Sequence, residues 1–453
     1  MTPVYKKEEK FLKQNYRPVS ILPNISKIFE RCLYDQINTY FENILSKLQF
    51  GFRKGHSAQH CLIVLIEKCR QMLDKGGFSG ILLTDLSKAF DCINHQLLIA
   101  KLYAYGFDIS SVRYIHSYLT DRKQRVKINA SFSEWSKIKY GVPQGSILGP
   151  LLFNIFICDL FFDIIDIEVA NYADDTTLYT YDYTIENVIQ KLEINGNKIF
   201  QWFSDNYLKA NPDKCHFLTN KKDDISINIK NENISSSQCQ KLLGIKFDNT
   251  LFFDDHVSSI CKKASNKLNA LVRVANYMNF DQRRLIMKAF ITSQFGYCPL
   301  VWMFHSRNLN NRINNIHERA LRITYKDYNS TFQDLLEKDN SVTVHQRNLQ
   351  VLATEIFKTK NGYNPPLMNE IFRFIEPSYN LRNSNSLQRT NVKTVKYGTE
   401  TLSWLGPKIW QLLPTDYKNC ESLQMFKTKI KNWKTTECPC RLCKTYIHRT
   451  GFI

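Results

Sequence analysis

Three aspartates carry the chemistry of this chain. Asp174 and Asp175 are adjacent in the run Tyr172-Ala173-Asp174-Asp175, and Asp85 ends the apolar run Gly80-Ile81-Leu82-Leu83-Thr84. Carboxylates side by side in a partly apolar setting repel and raise each other's pKa unless a cation of higher charge neutralises them. Magnesium does so with hard oxygen ligands. Two such ions roughly 3.5 to 4 Å apart can activate an attacking hydroxyl and stabilise a departing pyrophosphate during in-line displacement. That is the chemistry of nucleotide addition. An Asp-Asp pair on its own is usually plain turn chemistry, so the surrounding segments must decide.

Those segments are suited to positioning acids. Val169-Ala170-Asn171-Tyr172 and Thr176-Thr177-Leu178-Tyr179 are β-prone and put Asp174 and Asp175 at the tip of a hairpin. Gly80 to Asp85 reads as a buried strand, and Ser87-Lys88-Ala89-Phe90-Asp91 as the opening of an amphipathic helix through Leu97, Leu98 and Leu102. Asp85 then stands at a strand-to-helix junction. Gly141-Val142-Pro143-Gln144-Gly145-Ser146-Ile147-Leu148-Gly149-Pro150 is a loop feeding an apolar helix, Leu151 to Leu160.

Taken in order, Leu83-Thr84-Asp85-Leu86-Ser87-Lys88-Ala89-Phe90-Asp91, Gly141 to Ser146, and Tyr172 to Asp175 resemble the successive palm motifs of reverse transcriptases, closest to non-LTR retrotransposons of the jockey-like kind. Asn15-Tyr16-Arg17-Pro18-Val19-Ser20-Ile21-Leu22-Pro23 and Gln49-Phe50-Gly51-Phe52-Arg53 resemble the fingers motifs of that family. Trp202-Phe203 through Asn206 to Cys215, and Lys241-Leu242-Leu243-Gly244-Ile245, resemble its last palm motifs. The resemblance implies an α+β right-hand polymerase with a helical C-terminal extension. Residues 1–79 would be partial fingers, 80–250 the palm, 251–330 a helical thumb and 331–453 the extension.

It also implies roles. Asp85, Asp174 and Asp175 match the metal-binding carboxylates, with the main-chain oxygen of Leu86 as an extra ligand. Phe90 matches the aromatic gate that crowds the sugar 2′ position and favours dNTPs; its other reading is a core residue. Gln144 and Gly145 match the loop beside the incoming nucleotide, where glycine lets backbone approach a ligand closely. Arg17 and Arg53 match fingers residues that clamp the triphosphate, a task suited to the guanidinium fork. Lys214 matches a general acid to the leaving pyrophosphate, and Leu243-Gly244 part of the primer grip. The implied activity is RNA-directed DNA synthesis, with two Mg2+ ions, an RNA template, a DNA primer and dNTPs. An RNA-dependent RNA polymerase would also need palm carboxylates but would leave room where Phe90 stands. A truncated relic that binds nucleic acid without catalysis is the other alternative.

Composition agrees with a nucleic-acid partner. Lysine and arginine number 61 against 42 acids, a net charge of +19. From Lys262 to Lys326 there are 12 basic residues against 2 acids, on a helical pattern that matches the thumb and would track phosphates. The apolar stretch Ile147 to Val169 is interrupted by Asn154, Asp159, Asp163 and Asp166, which argues against a membrane span. The 13 cysteines form no disulfide framework and fit reduced thiols in an intracellular protein of nucleus or cytoplasm. Nothing in the sequence indicates oligomeric state. Met1 falls about a dozen residues before the first fingers motif, which reads as an N-terminally truncated frame without the endonuclease of the family.

The C-terminus poses a separate chemistry. Cys438, Cys440, Cys443 and His448 offer three thiols and an imidazole in eleven residues, a donor set for tetrahedral zinc, against the competing reading of a reduced basic tail.

Overall fold

The structure is a computed structural model of the 453-residue chain and describes all residues except 7–8, 87, 163, 165, 212–213, 376–385 and 444–453. A hairpin of β1 (Thr2–Tyr5) and β2 (Tyr16–Val19) precedes α1 (Asn24–Phe41) and α2 (Ala58–Asp74). β3 (Phe78–Thr84) leads through a short 3-10 turn, Ala89–Asp91, to α3 (His95–Ala104) and α4 (Ile109–Leu119). The helix expected from residue 87 therefore starts later. Lys88 has a left-handed φ of 54°, and Asn94 caps α3 by accepting from the Leu97 amide.

Two small ladders follow, β4 (Lys123–Gln124) with β7 (Ser136–Lys137) and β5 (Lys127–Ile128) with β6 (Ser131–Phe132). After α5 (Leu148–Phe156), β8 (Glu168–Tyr172) and β9 (Asp175–Asp182) form the expected hairpin, and α6 (Ile185–Asp205) crosses back to β10 (His216–Thr219). β11 (Ser226–Ile229) pairs with β12 (Glu232–Ser235), and β13 (Cys239–Leu242) with β14 (Ile245–Asp248). The helices that follow among the described residues include α7 (Asp254–Val274), α8 (Phe280–Ile286), α9 (Pro299–Trp302), α10 (Arg307–Tyr325), α11 (Phe332–Lys338), α12 (Val344–Lys360), α13 (Met368–Ile371), α14 (Leu402–Leu412), α15 (Thr415–Lys418) and α16 (Leu423–Ile430).

The central sheet is antiparallel, in the order β10-β3-β9-β8. β3 is buried on both faces, so its side chains divide by the two-residue period of a strand. Leu82, with Leu178 and Phe217, enters one core against α6; Ile81 and Leu83, with Tyr179, enter the other against α2. Gly80 and Gly196 let α6 lie close, since a Cβ on Gly80 would sit 2.6 Å from Val188 and one on Gly196 2.6 Å from Ile229.

The α2-side core continues through α7, α9, α10, α12, α14 and α16, so the helical half of the chain packs on the back of the sheet. Polar side chains of α2 fasten this contact. Glu67 accepts from the Leu402 and Ser403 amides at the start of α14, and Asp74 from the Lys393 and Thr394 amides. Arg70 donates to the carbonyls of Glu400 and Leu251. Among the described residues no helix is long and apolar enough to cross a membrane, and every cysteine there is free of a disulfide.

Candidate active site

Sheet register brings the aspartates together. Thr84 pairs with Thr176 across β3 and β9, and Tyr172 with Asp175 across the β8–β9 turn. Asp85 thus leaves β3 beside the start of β9, where Asp175 stands, with Asp174 in the two-residue turn. Ala173 holds that turn in the left-handed region, φ 59°, which costs a non-glycine residue on the order of 1–3 kcal/mol and persists only where the surroundings enforce it.

The enforcing residues are buried and polar. Asn171, fully buried, donates its side-chain amide to the Ala173 carbonyl (3.0 Å) and to Thr176 Oγ1 (3.0 Å), while Thr84 Oγ1 donates to the Thr176 carbonyl (2.9 Å). The backbone of Asn171 pairs with Leu48 and Phe50. Gln49 donates to the Asn154 carbonyl, and Asn154 to the Gly51 carbonyl. Gly51 lies flush against the turn: a Cβ there would be 2.4 Å from the Ala173 nitrogen. Sequence reading missed this support. Its signal was an asparagine inside each apolar run, at 154 and 171, because a buried amide needs partners.

Burial raises the Asp175 carboxyl to about 6, and the charges of Asp174 and Asp85 add to the effect. Burial also raises Asp174, with Asp85 adding and its own main-chain N–H, Arg17 and Lys6 opposing. A site where burial and neighbouring carboxylates disfavour negative charge is suited to a divalent cation, and three carboxylates form a hard-oxygen donor set. The group fits magnesium by chemistry rather than by ready-made closeness. Among the described residues, the only three or more His, Cys, Asp or Glu ligand atoms within 4.8 Å of one another lie elsewhere, at the C-terminal end. Lys214 Nζ is 4.0 Å from Asp85 Oδ2. Leu86 makes an isolated bridge with Ala210, next along from Asp85.

The Gln144-Gly145 turn closes another side. The Gln144 carbonyl accepts from the Ser20 amide (2.8 Å) and its side chain donates to Asp91 (2.9 Å). Gly145, at φ 113°, lies where a Cβ would be 2.9 Å from the Ser20 carbonyl oxygen. Glu30 of α1, almost fully buried, accepts from the Ile147 and Leu148 amides and so caps α5 from a distance.

Phe90 is half-buried, stacked on Phe153 (4.5 Å between centroids) and edge-on to Phe52 (5.8 Å). Its ring is therefore fixed from below, with Phe52 exposed at its rim. Arg53 is turned inward, contrary to the expected clamp: Nη1 donates to the carbonyls of Ser46 (2.7 Å) and Gln49 (3.2 Å), and burial lowers its pKa. Arg17 is exposed on β2 and acts electrostatically on Asp174, as does Lys6, a residue the sequence did not single out.

The family described as reverse transcriptase (RNA-dependent DNA polymerase) matches residues 4–247 of the 453, from the first hairpin through β14. The chain belongs to the reverse transcriptase family. It is 29% identical over 327 residues to the probable RNA-directed DNA polymerase from transposon BS of Drosophila melanogaster, a match covering 68% of this chain and 36% of that protein. With the RNA-directed DNA polymerase from mobile element jockey of Drosophila funebris it shares 27% identity over 323 residues, covering 68% and 35%. The chain thus spans about a third of the length of these relatives. Among solved structures, apo telomerase from Candida tropicalis gives a TM-score of 0.42 at 12% identity, over 69% of this chain and 51% of that one.

Beyond the aspartates, the chain carries three further features. Leu243 and Gly244, with φ of 45° and 85°, form the two-residue turn between β13 and β14, a type I′ geometry. Tyr297 holds it, donating its hydroxyl to the Leu243 carbonyl (2.7 Å). On α7, Lys262, Lys263, Lys267 and Arg273 are exposed, whereas Arg283 is buried against the Met278 and Thr324 carbonyls and Arg284 pairs with Asp339. The basic stretch is therefore part solvent-facing and part structural.

The third feature is at the chain's end. Cys438, Cys440 and Cys443 gather around Nε2 of His345, an α12 residue, and this group could hold a metal. His448, expected as the fourth ligand, lies outside the described residues.

Proposed function

We propose that this reverse transcriptase chain performs RNA-directed DNA synthesis, extending a DNA primer on an RNA template with dNTPs. The observation that carries the reading is the register that sets Asp85 beside Asp174 and Asp175, at a point where burial raises two of the three carboxyls. Asp85, Asp174 and Asp175, with the Leu86 carbonyl, would hold two Mg2+ ions. Bound there, the ions supply an activated 3′-hydroxyl and charge neutralisation at the leaving group.

In the reaction the primer 3′-hydroxyl gives its proton to water and bonds through its oxygen to the α-phosphorus, the bond from that phosphorus to the oxygen bridging the β-phosphate breaks, and pyrophosphate leaves. Lys214 donates a proton to that pyrophosphate, as a positioned cation can. Arg17 and Lys6 draw the triphosphate to the cleft. Gln144 and Gly145 seat the nucleotide, and Phe90, backed by Phe153, excludes the ribose 2′-hydroxyl. Leu243 and Gly244 hold the primer end, and the lysines of α7 follow the phosphates of the duplex. The second cofactor is zinc, suited to thiolate and imidazole donors at the C-terminal end.

The test is a DNA-primed RNA template with Mg2+ and either dNTPs or NTPs. Extension with dNTPs and not NTPs supports the reading. Extension with NTPs alone would reassign the chain to RNA synthesis, and salt-sensitive RNA binding without any extension would leave only the binding relic.

A further inference from the structure

The sulfur atoms of Cys438, Cys440 and Cys443 lie 3.9, 3.4 and 3.3 Å from a single nitrogen, Nε2 of His345. One imidazole nitrogen can make one hydrogen bond, as donor or as acceptor. Three sulfurs converging on it are not accounted for in that way. A tetrahedral ion accounts for all of them: with Zn–S about 2.3 Å and Zn–N about 2.0 Å, an ideal S···N edge is about 3.5 Å. The three observed edges bracket that value, and all four donor atoms lie within 4.8 Å of one another.

The rest of α12 is arranged to receive the same segment. Gln346 and Gln350 donate to the Trp433 carbonyl (3.1 and 2.9 Å), and Gln350 also to that of Lys431. Arg441, between the second and third cysteines, reaches Glu400 at 3.1 Å, and the Glu400 carbonyl accepts from Arg70 of α2. Cys438 and Cys440 are buried and cysteines 438, 440 and 443 are all free of disulfides.

We infer that His345, Cys438, Cys440 and Cys443 form a four-ligand structural zinc site that fastens the C-terminal end of the chain onto α12. The inference deepens the zinc reading above and is independent of polymerase activity. It replaces His448 with a histidine 93 residues upstream of the first cysteine. Such a closure ties together segments far apart in the sequence, where a local knuckle would order only the tail.

The experiment measures metal on the purified full-length chain by mass spectrometry, and the visible spectrum after exchange with Co2+. About one zinc per chain is expected, with the intense bands of tetrahedral thiolate cobalt. His345→Ala and Cys440→Ser should fall to near zero zinc, and His448→Ala should keep it. His345→Cys, which offers a fourth thiolate, should restore zinc with a red-shifted cobalt spectrum and guards against simple misfolding. A chelator should expose the segment after Lys434 to proteases. Zinc retained by His345→Ala, or lost from His448→Ala alone, would overturn the assignment, as would a wild-type chain without zinc or with a disulfide among the three cysteines.

Discussion

The Lys214 ammonium lies 4.0 Å from a carboxylate oxygen of Asp85, with both side chains about half exposed. An ion pair this exposed contributes little to stability. Its position matters more, because it puts a proton-bearing cation at the edge of the proposed metal site. Lys214→Ala should therefore leave the melting temperature unchanged and lower the single-turnover rate of nucleotide addition by about 10²-fold or more, with dNTP affinity nearly unaffected. Rapid-quench kinetics separates the two. An unchanged rate would remove Lys214 from proton transfer.

Gly51 tests whether the Ala173-Asp174 turn is set from the segment between α1 and α2. A methyl group there meets the Ala173 nitrogen at 2.4 Å, and backbone must move. Gly51→Ala should keep the circular dichroism spectrum while cutting primer extension by about 10²-fold, the scale of a misplacement of roughly 1 Å. Wild-type extension would mean the turn has slack.

Asn171 makes the complementary test from inside the sheet. Asn171→Ala leaves the Ala173 carbonyl and Thr176 hydroxyl without their amide donor. Buried groups so orphaned cost about 1–3 kcal/mol, and urea unfolding should show a loss of that size. A smaller loss would mean the network is not what holds Ala173 left-handed.

Phe90 separates gate from core. Because Phe153 supports the ring at 4.5 Å, Phe90→Ala should raise NTP incorporation relative to dNTP while lowering stability modestly. A stability loss with unchanged sugar preference would make Phe90 a core residue only.

The α2–α12 contact predicts an acid limb. Burial pushes Glu355 up, but hydrogen bonds and charge from His60 (3.0 Å) and Lys358 (2.8 Å) prevail and hold its carboxyl at about 2. A carboxylate depressed in the folded state stabilises above its unfolded pKa, about 4.3. That contribution, roughly 3 kcal/mol, is lost as pH falls from about 4.3 toward 2. Thermal melts across this window should show a steeper decline for the wild type than for Glu355→Gln; parallel curves would contradict the linkage.

Much of the site was legible because the polymerase motifs are local. Asp85, the Ala173-Asp174 turn and the Gln144-Gly145 loop each follow from a strand end, a hairpin or a glycine read within ten residues. What escaped was long-range. Gly51 against Ala173, Glu30 capping α5 and His345 beside the C-terminal cysteines all join segments far apart in the chain, and no periodicity records such pairings. Arg53 was singled out by its match to a motif, and the two carbonyls that its guanidinium meets in the folded loop left no trace in that motif. The helical half was legible as helices but not as the cover of the sheet's rear face, because the buried Glu67, Arg70 and Asp74 of α2 find their partners 181 to 336 residues further along the chain.

The most direct test compares the wild type with Asp174→Asn in single-nucleotide addition to a DNA primer on an RNA template, in Mg2+. Addition by the wild type, lost in the variant while RNA binding is kept, is the predicted result. Equal addition by both proteins would contradict the proposed assignment of Asp85, Asp174 and Asp175 as the metal-binding carboxylates.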